Sequence, residues 1–119
     1  MKKLVITTLL ICLSITTYAQ NKNAKATLEV DGVCMMCKER IEKASIKTKG
    51  VKSAVWDVET HELKVIFDER KTDLATINAN IAAVGHDTKE VKATDEAYNS
   101  VHPCCLYRDE DVKSDHKND

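Results

Sequence analysis

Apolar and polar positions change period several times along the chain. Ala26-Thr27-Leu28-Glu29-Val30 alternates, which predicts a half-buried strand closed by Asp31-Gly32. From about Met36 to Lys49 the spacing becomes helical. Cys37, Ile41, Ala44 and Thr48 share one face, Ile46 falls off that stripe, and Gly50 closes the helix. Alternation returns over 51–58 and 62–68, where Leu63, Val65 and Phe67 point one way. The short polar link Glu59-Thr60-His61 joins these two strands as a hairpin. A second helix is expected from a Thr72 cap, with Leu74, Ile77, Ile81 and Val84 on one stripe and Gly85 at its end. A last strand is expected over Asp87–Lys92.

The order strand, helix, strand, strand, helix, strand is the split βαβ, or ferredoxin-like, arrangement. It predicts an α+β domain with a four-stranded antiparallel sheet and two helices on one face. Its core is expected from Leu28, Ile41, Leu63, Val65, Phe67, Ile77 and Ile81. Trp56 reads as core because Ala54 and Val58 lie on its side of the strand.

Both ends depart from this pattern. Residues 1–19 join a basic start, Met1-Lys2-Lys3, to an apolar run over 4–13 and to Thr17-Tyr18-Ala19, with small residues before a cut. The run is too short to span a bilayer and fits an export signal. Its removal takes Cys12 and leaves Cys34, Cys37, Cys104 and Cys105. Residues 20–24 read as a polar leader and 25–93 as the domain. Residues 94–119 form a cysteine-containing extension. There Thr94 caps a short helix, His102-Pro103-Cys104-Cys105 makes a turn, and the charged stretch from Asp109 is expected to be disordered.

Charge narrows the function. The chain carries 18 basic and 19 acidic residues, a net charge of -1. That lacks the basic footprint of a nucleic-acid binder. No catalytic triad, carboxylate pair or phosphate loop is recognisable, so the chain does not read as an enzyme. After loss of the signal no stable membrane insertion is expected.

The chemistry lies in sulfur. Cys34-Met35-Met36-Cys37 sits where the first loop runs into a helix. Two thiolates at this spacing converge on one ion, and the helix N-terminus favours their charge. Thiolates select soft ions such as Cu(I), with Hg(II) and Zn(II) as alternatives. A structural disulfide and a redox dithiol are the other readings of the motif. One of Met35 and Met36 is expected to pack inward and the other to face solvent; a thioether can assist a soft ion, though it more often fills gaps. Cys104 and Cys105, with His102, form a second compact group. They join the first motif at one ion, bind their own, bridge two molecules, or form a disulfide.

Residues 30–44, then Gly50-Val51, Val65-Ile66-Phe67-Asp68 and Ile81-Ala82-Ala83-Val84-Gly85-His86, resemble the heavy-metal-associated domain, a family that includes copper chaperones, mercuric-ion periplasmic carriers and the N-terminal modules of metal-pumping ATPases. The resemblance covers about residues 25–92. It implies that Cys34 and Cys37 bind the ion, and that His86, about where copper chaperones often carry Lys, Tyr or Phe, is a third ligand or a proton-sensitive neighbour; on its own it reads as a plain surface histidine at a helix end. It also implies partners that give or take metal, such as a membrane metal transporter, and an exported, periplasmic setting in a Gram-negative source. Here Gly32-Val33-Cys34 is one residue shorter than the family's usual Gly-Met-x-Cys. Val33 stands where zinc-binding members often carry an acid, which leans against zinc. A thioredoxin-like redox protein needs a Pro facing its cysteines, and Pro103, the sole Pro, lies in the extension. A Cys-linked dimeric sensor is the remaining alternative, and a homodimer through metal or cysteine is expected in that case.

Overall fold

A computed structural model describes residues 20–117. The expected signal over 1–19 lies outside these residues. Three strands, β1 (Ala24–Glu29), β2 (Val51–Trp56) and β3 (Glu62–Phe67), form an antiparallel sheet in the order β1-β3-β2. Helices α1 (Met35–Lys47) and α2 (Leu74–Ala83) pack together, and α1 lies against β2. The register sets Leu28 opposite Leu63 and Ala26 opposite Val65, so alternate residues of both strands point into the core. Ile41, Trp56, Leu63, Val65, Ile77 and Ile81 are all buried there. Gly32 is needed beside them, because a Cβ on it would lie 2.9 Å from the Trp56 ring and 3.0 Å from the Cys37 Cβ.

The second helix starts one residue later than expected. The Asp73 carboxylate, rather than Thr72, accepts the Thr76 N–H at 2.8 Å. Leu74, expected on the buried stripe, is exposed.

The fourth strand also requires correction. Asp31 N–H donates to the Asp87 carbonyl at 2.8 Å and Lys89 N–H to the Glu29 carbonyl at 3.1 Å, which begins an antiparallel pairing on the free edge of β1. Among the described residues it stops at one bridge, Val30 to Thr88. Thr88 then closes a turn, its N–H donating to the Val91 carbonyl while its Oγ1 accepts from Val91 N–H. Asp87 is also drawn off, its Oδ1 accepting from Ala93 N–H at 2.7 Å. Side-chain acceptors thus compete with the ladder for the backbone.

The C-terminal segment packs back onto this domain. It holds α3 (Asp95–Asn99), a single 3-10 turn at Pro103–Cys105, and α4 (Glu110–Lys117). The stretch from Asp109, expected to be disordered, is helical. Asp109 Oδ1 accepts from Asp111 N–H, acids occupy the first turn and His116 and Lys117 the last, and this order suits the helix dipole. No helix among the described residues is long and apolar enough to cross a membrane.

Candidate metal centre

Cys34 is the N-cap of α1, and Cys37 follows in its first turn. The amphipathic stripe of α1 turns Cys37 inward, where it is fully buried, while Cys34 stays half-buried. The two Sγ atoms lie 3.3 Å apart. The extension brings two more. Cys34 Sγ is 3.2 Å from Cys105 Sγ and 3.7 Å from Cys104 Sγ. Cys34, Cys104 and Cys105 form a mutual group within 4.8 Å, and Cys37 touches that group through Cys34. All four are free thiols.

A clamp holds the turn in place. The Tyr107 hydroxyl donates to the Gly85 carbonyl at 2.7 Å and accepts from Asp87 N–H at 2.8 Å. Arg108 grips both Asp87 carboxylate oxygens, at 2.7 and 3.1 Å, and donates to the Ala93 carbonyl. Its guanidinium lies 4.2 Å above the Tyr98 ring, and Tyr98 meets Tyr107 edge-on. Gly85 has φ +104°, and a Cβ there would strike the Ala97 carbonyl oxygen at 2.5 Å. Cys105 is consequently as buried as any core residue.

The thiols are not equivalent. Burial acts to raise Cys34, but hydrogen bonds from the Cys37 backbone and the neighbouring thiols outweigh it and hold Cys34 below its ordinary value. Burial raises Cys37 and Cys104. Burial and the adjacent Cys37 and Cys34 sulfurs push Cys105 far up, so it keeps its proton. Cys34 is thus the most easily ionised of the four, and the other three give up their protons less readily.

His86 is absent from the sulfur group. Its ring is fully buried, with Nδ1 donating to the Asp31 carbonyl at 2.9 Å and one face stacked on Tyr107 at 5.3 Å. Nε2 is left without a partner. Burial, aided by the Arg40 charge, lowers its pKa against the pull of Asp31 and Asp87. His102 caps the 3-10 turn, its Nδ1 accepting from Cys104 N–H. His116, on which no expectation was placed, sits with Nε2 3.1 Å from the Cys104 carbonyl oxygen. Tyr107 and Arg108 were likewise missed. Only the pairing of an aromatic with a basic residue directly after the cysteines hinted at an anchor. A cleft of about 730 Å³ lies between the β2–β3 turn and α4 and is lined by no cysteine.

The heavy-metal-associated domain family matches residues 27–87. The chain belongs to this family. It is 33% identical over 73 residues to a copper-exporting P-type ATPase of Staphylococcus haemolyticus, covering 60% of this chain but 9% of that protein. The CopZ metallochaperone superposes with a TM-score of 0.53 at 29% identity, covering 55% of this chain and 98% of CopZ. Apo-CopP from Helicobacter pylori superposes at 0.50 and 27% identity, over 55% and 98% of the respective chains. Heavy-metal-associated domains of this kind are metal-binding modules with an α+β core. The extension beyond residue 87 lies outside the matched family segment.

Proposed function

We propose that this protein is an exported Cu(I) carrier. It holds the ion by Cys34 and Cys37, completes the coordination with Cys105, and passes the ion by thiolate exchange to a partner such as a membrane metal transporter. The observation that carries the reading is the position of Cys34 Sγ, within 3.7 Å of three other cysteine sulfurs. A soft monovalent ion suits such a donor set. With metal–sulfur bonds near 2.3 Å, three coplanar thiolates stand about 4.0 Å apart, a small expansion of the 3.2 and 3.3 Å that separate Cys34 from Cys105 and Cys37. Zn(II) asks for a closed tetrahedron instead. Cys37 does not fall within 4.8 Å of all the other sulfurs, which leaves no ready four-sulfur tetrahedron. The copper chemistry named for the ATPase and the metallochaperone role of CopZ support the same choice. Export rests on the residue pattern over 1–19, and a Gram-negative source would place the carrier in the periplasm.

The test recovers the exported chain, checks that its mass begins at Gln20, and measures Cu(I) affinity against a competing chelator. Cys34→Ser with Cys37→Ser is expected to abolish tight binding, and Cys105→Ser to weaken it about tenfold or more, given the loss of one thiolate. X-ray absorption on the native chain should count three sulfurs. Full affinity in the double variant, or tighter binding of Hg(II) or Zn(II) under the same competition, overturns the copper assignment. Thiols that cycle with a disulfide partner and hold no metal would establish the redox alternative.

A further inference from the structure

One methionine belongs to the centre. Met35 and Met36 were expected to divide between core and solvent, yet both are exposed, at 65% and 44%. Met36 does not fill a gap. Its Sδ lies 3.4 Å from Cys104 Sγ, across the mouth of the sulfur group. Cys104 is half-buried, 3.7 Å from Cys34 and 3.8 Å from Cys105. The sulfurs therefore form two tiers that share Cys34. Cys37 and Cys105 are buried on the inner side, and Cys104 and Met36 face outward.

We propose that the outer tier is a second Cu(I) position, bound by Met36 Sδ and Cys104 Sγ with Cys34 Sγ as a thiolate bridging the two ions. This rests on the copper-carrying reading. Three features argue for it. A thioether is a soft, uncharged donor that distinguishes Cu(I) from harder ions. Cys34 is the sulfur in contact with all three other cysteines, which is what a bridging ligand requires. The nearby cations are engaged elsewhere: Lys38 binds Glu42 and the Trp56 carbonyl, and Arg40 donates to the Val84 carbonyl. Neither charge is free to swing onto the outer position and repel a second Cu(I). Loading the outer position forms a Cu–S bond to Cys104 and releases its proton to solvent. Met36 gives up none, so the outer ion is held more weakly and is the one exposed to an acceptor.

Met35→Leu chain grown with selenomethionine separates this position from the inner one. Cu(I) is added anaerobically, in steps, and followed by native mass spectrometry and copper X-ray absorption. The first equivalent is expected to show sulfur scattering alone. The second should add a Cu–Se path that disappears in Met35→Leu/Met36→Leu, and the Met36→Leu chain should saturate at one copper. Two coppers without a Cu–Se path, or a Met36→Leu chain that still takes two, overturns the proposal. A native chain that saturates at one copper through sulfur alone also overturns it and leaves the carrier reading intact. A chain with no Cu–S scattering overturns both.

Discussion

His86 shows how one residue can be prominent in the sequence and structural in the fold. It stands just past Gly85, where the family resemblance suggested a ligand or a proton-sensitive neighbour. The chain instead spends its Nδ1 proton on the Asp31 carbonyl and its face on Tyr107. That bond ties the cysteine loop to the end of α2. Because burial lowers its pKa from an ordinary value of 6.5, the unfolded chain takes up a proton before the folded one does. Stability is therefore expected to fall as pH drops from about 6.5 toward the lowered folded value. His86→Phe keeps the stacking and removes the titration. Chemical denaturation of both forms between pH 7.5 and 5 should show a slope for the native chain in this range and a flatter line for the variant. Equal slopes would remove His86 as the cause.

At the scale of elements, the clamp on the extension decides whether Cys105 is present at the centre. The Tyr107 hydroxyl both donates to Gly85 and accepts from Asp87, deep in the protein. Tyr107→Phe leaves those two backbone groups unpaired, and each costs about 1–3 kcal/mol when buried. The variant is expected to lose about 2 kcal/mol in denaturant unfolding and to expose Cys105 to alkylation, while Cys37 stays protected. Unchanged labelling of Cys105 would mean that Arg108 holds the turn alone. These elements also mark what the sequence made legible. Three strands and two helices follow from periodicity, since Leu63, Val65 and Phe67, like Ile41 and Ile77, each serve one buried face. The edge strand was not legible, because its fate turned on hydrogen bonds from the Asp87 and Thr88 side chains. Helix α4 escaped for a related reason. It buries no residue, so it left no apolar stripe to read. That Cys34 and Cys37 lie side by side at the start of α1 was legible from their spacing. Their meeting with Cys104 and Cys105 depends on Tyr98, Tyr107 and Arg108 converging from separate turns, and no local pattern encodes that.

For the whole molecule, the fold divides into a domain that supplies two sulfurs and an appendage that supplies two more. The appendage carries its thiols on the same chain, so their encounter with the ion is intramolecular. Cys105→Ser is expected to speed copper loss to a small competing thiol several-fold, while transfer to a protein acceptor changes less. Stopped-flow transfer to each acceptor measures this, and an equal acceleration for both would refute it. The reason lies in local concentration. A tethered thiol held by a short segment behaves as if present at millimolar levels or above, whatever the surroundings contain. Free thiols in the medium must outcompete that figure to strip the ion. A protein acceptor need not, because docking raises the local concentration of its own sulfurs in the same way. On the carrier reading, the seated Cys105 would turn the binding site into a filter on who may receive the metal: dissolved scavengers would be met with their own kind at higher concentration, and only a partner that arrives with its ligands already assembled would compete on equal terms.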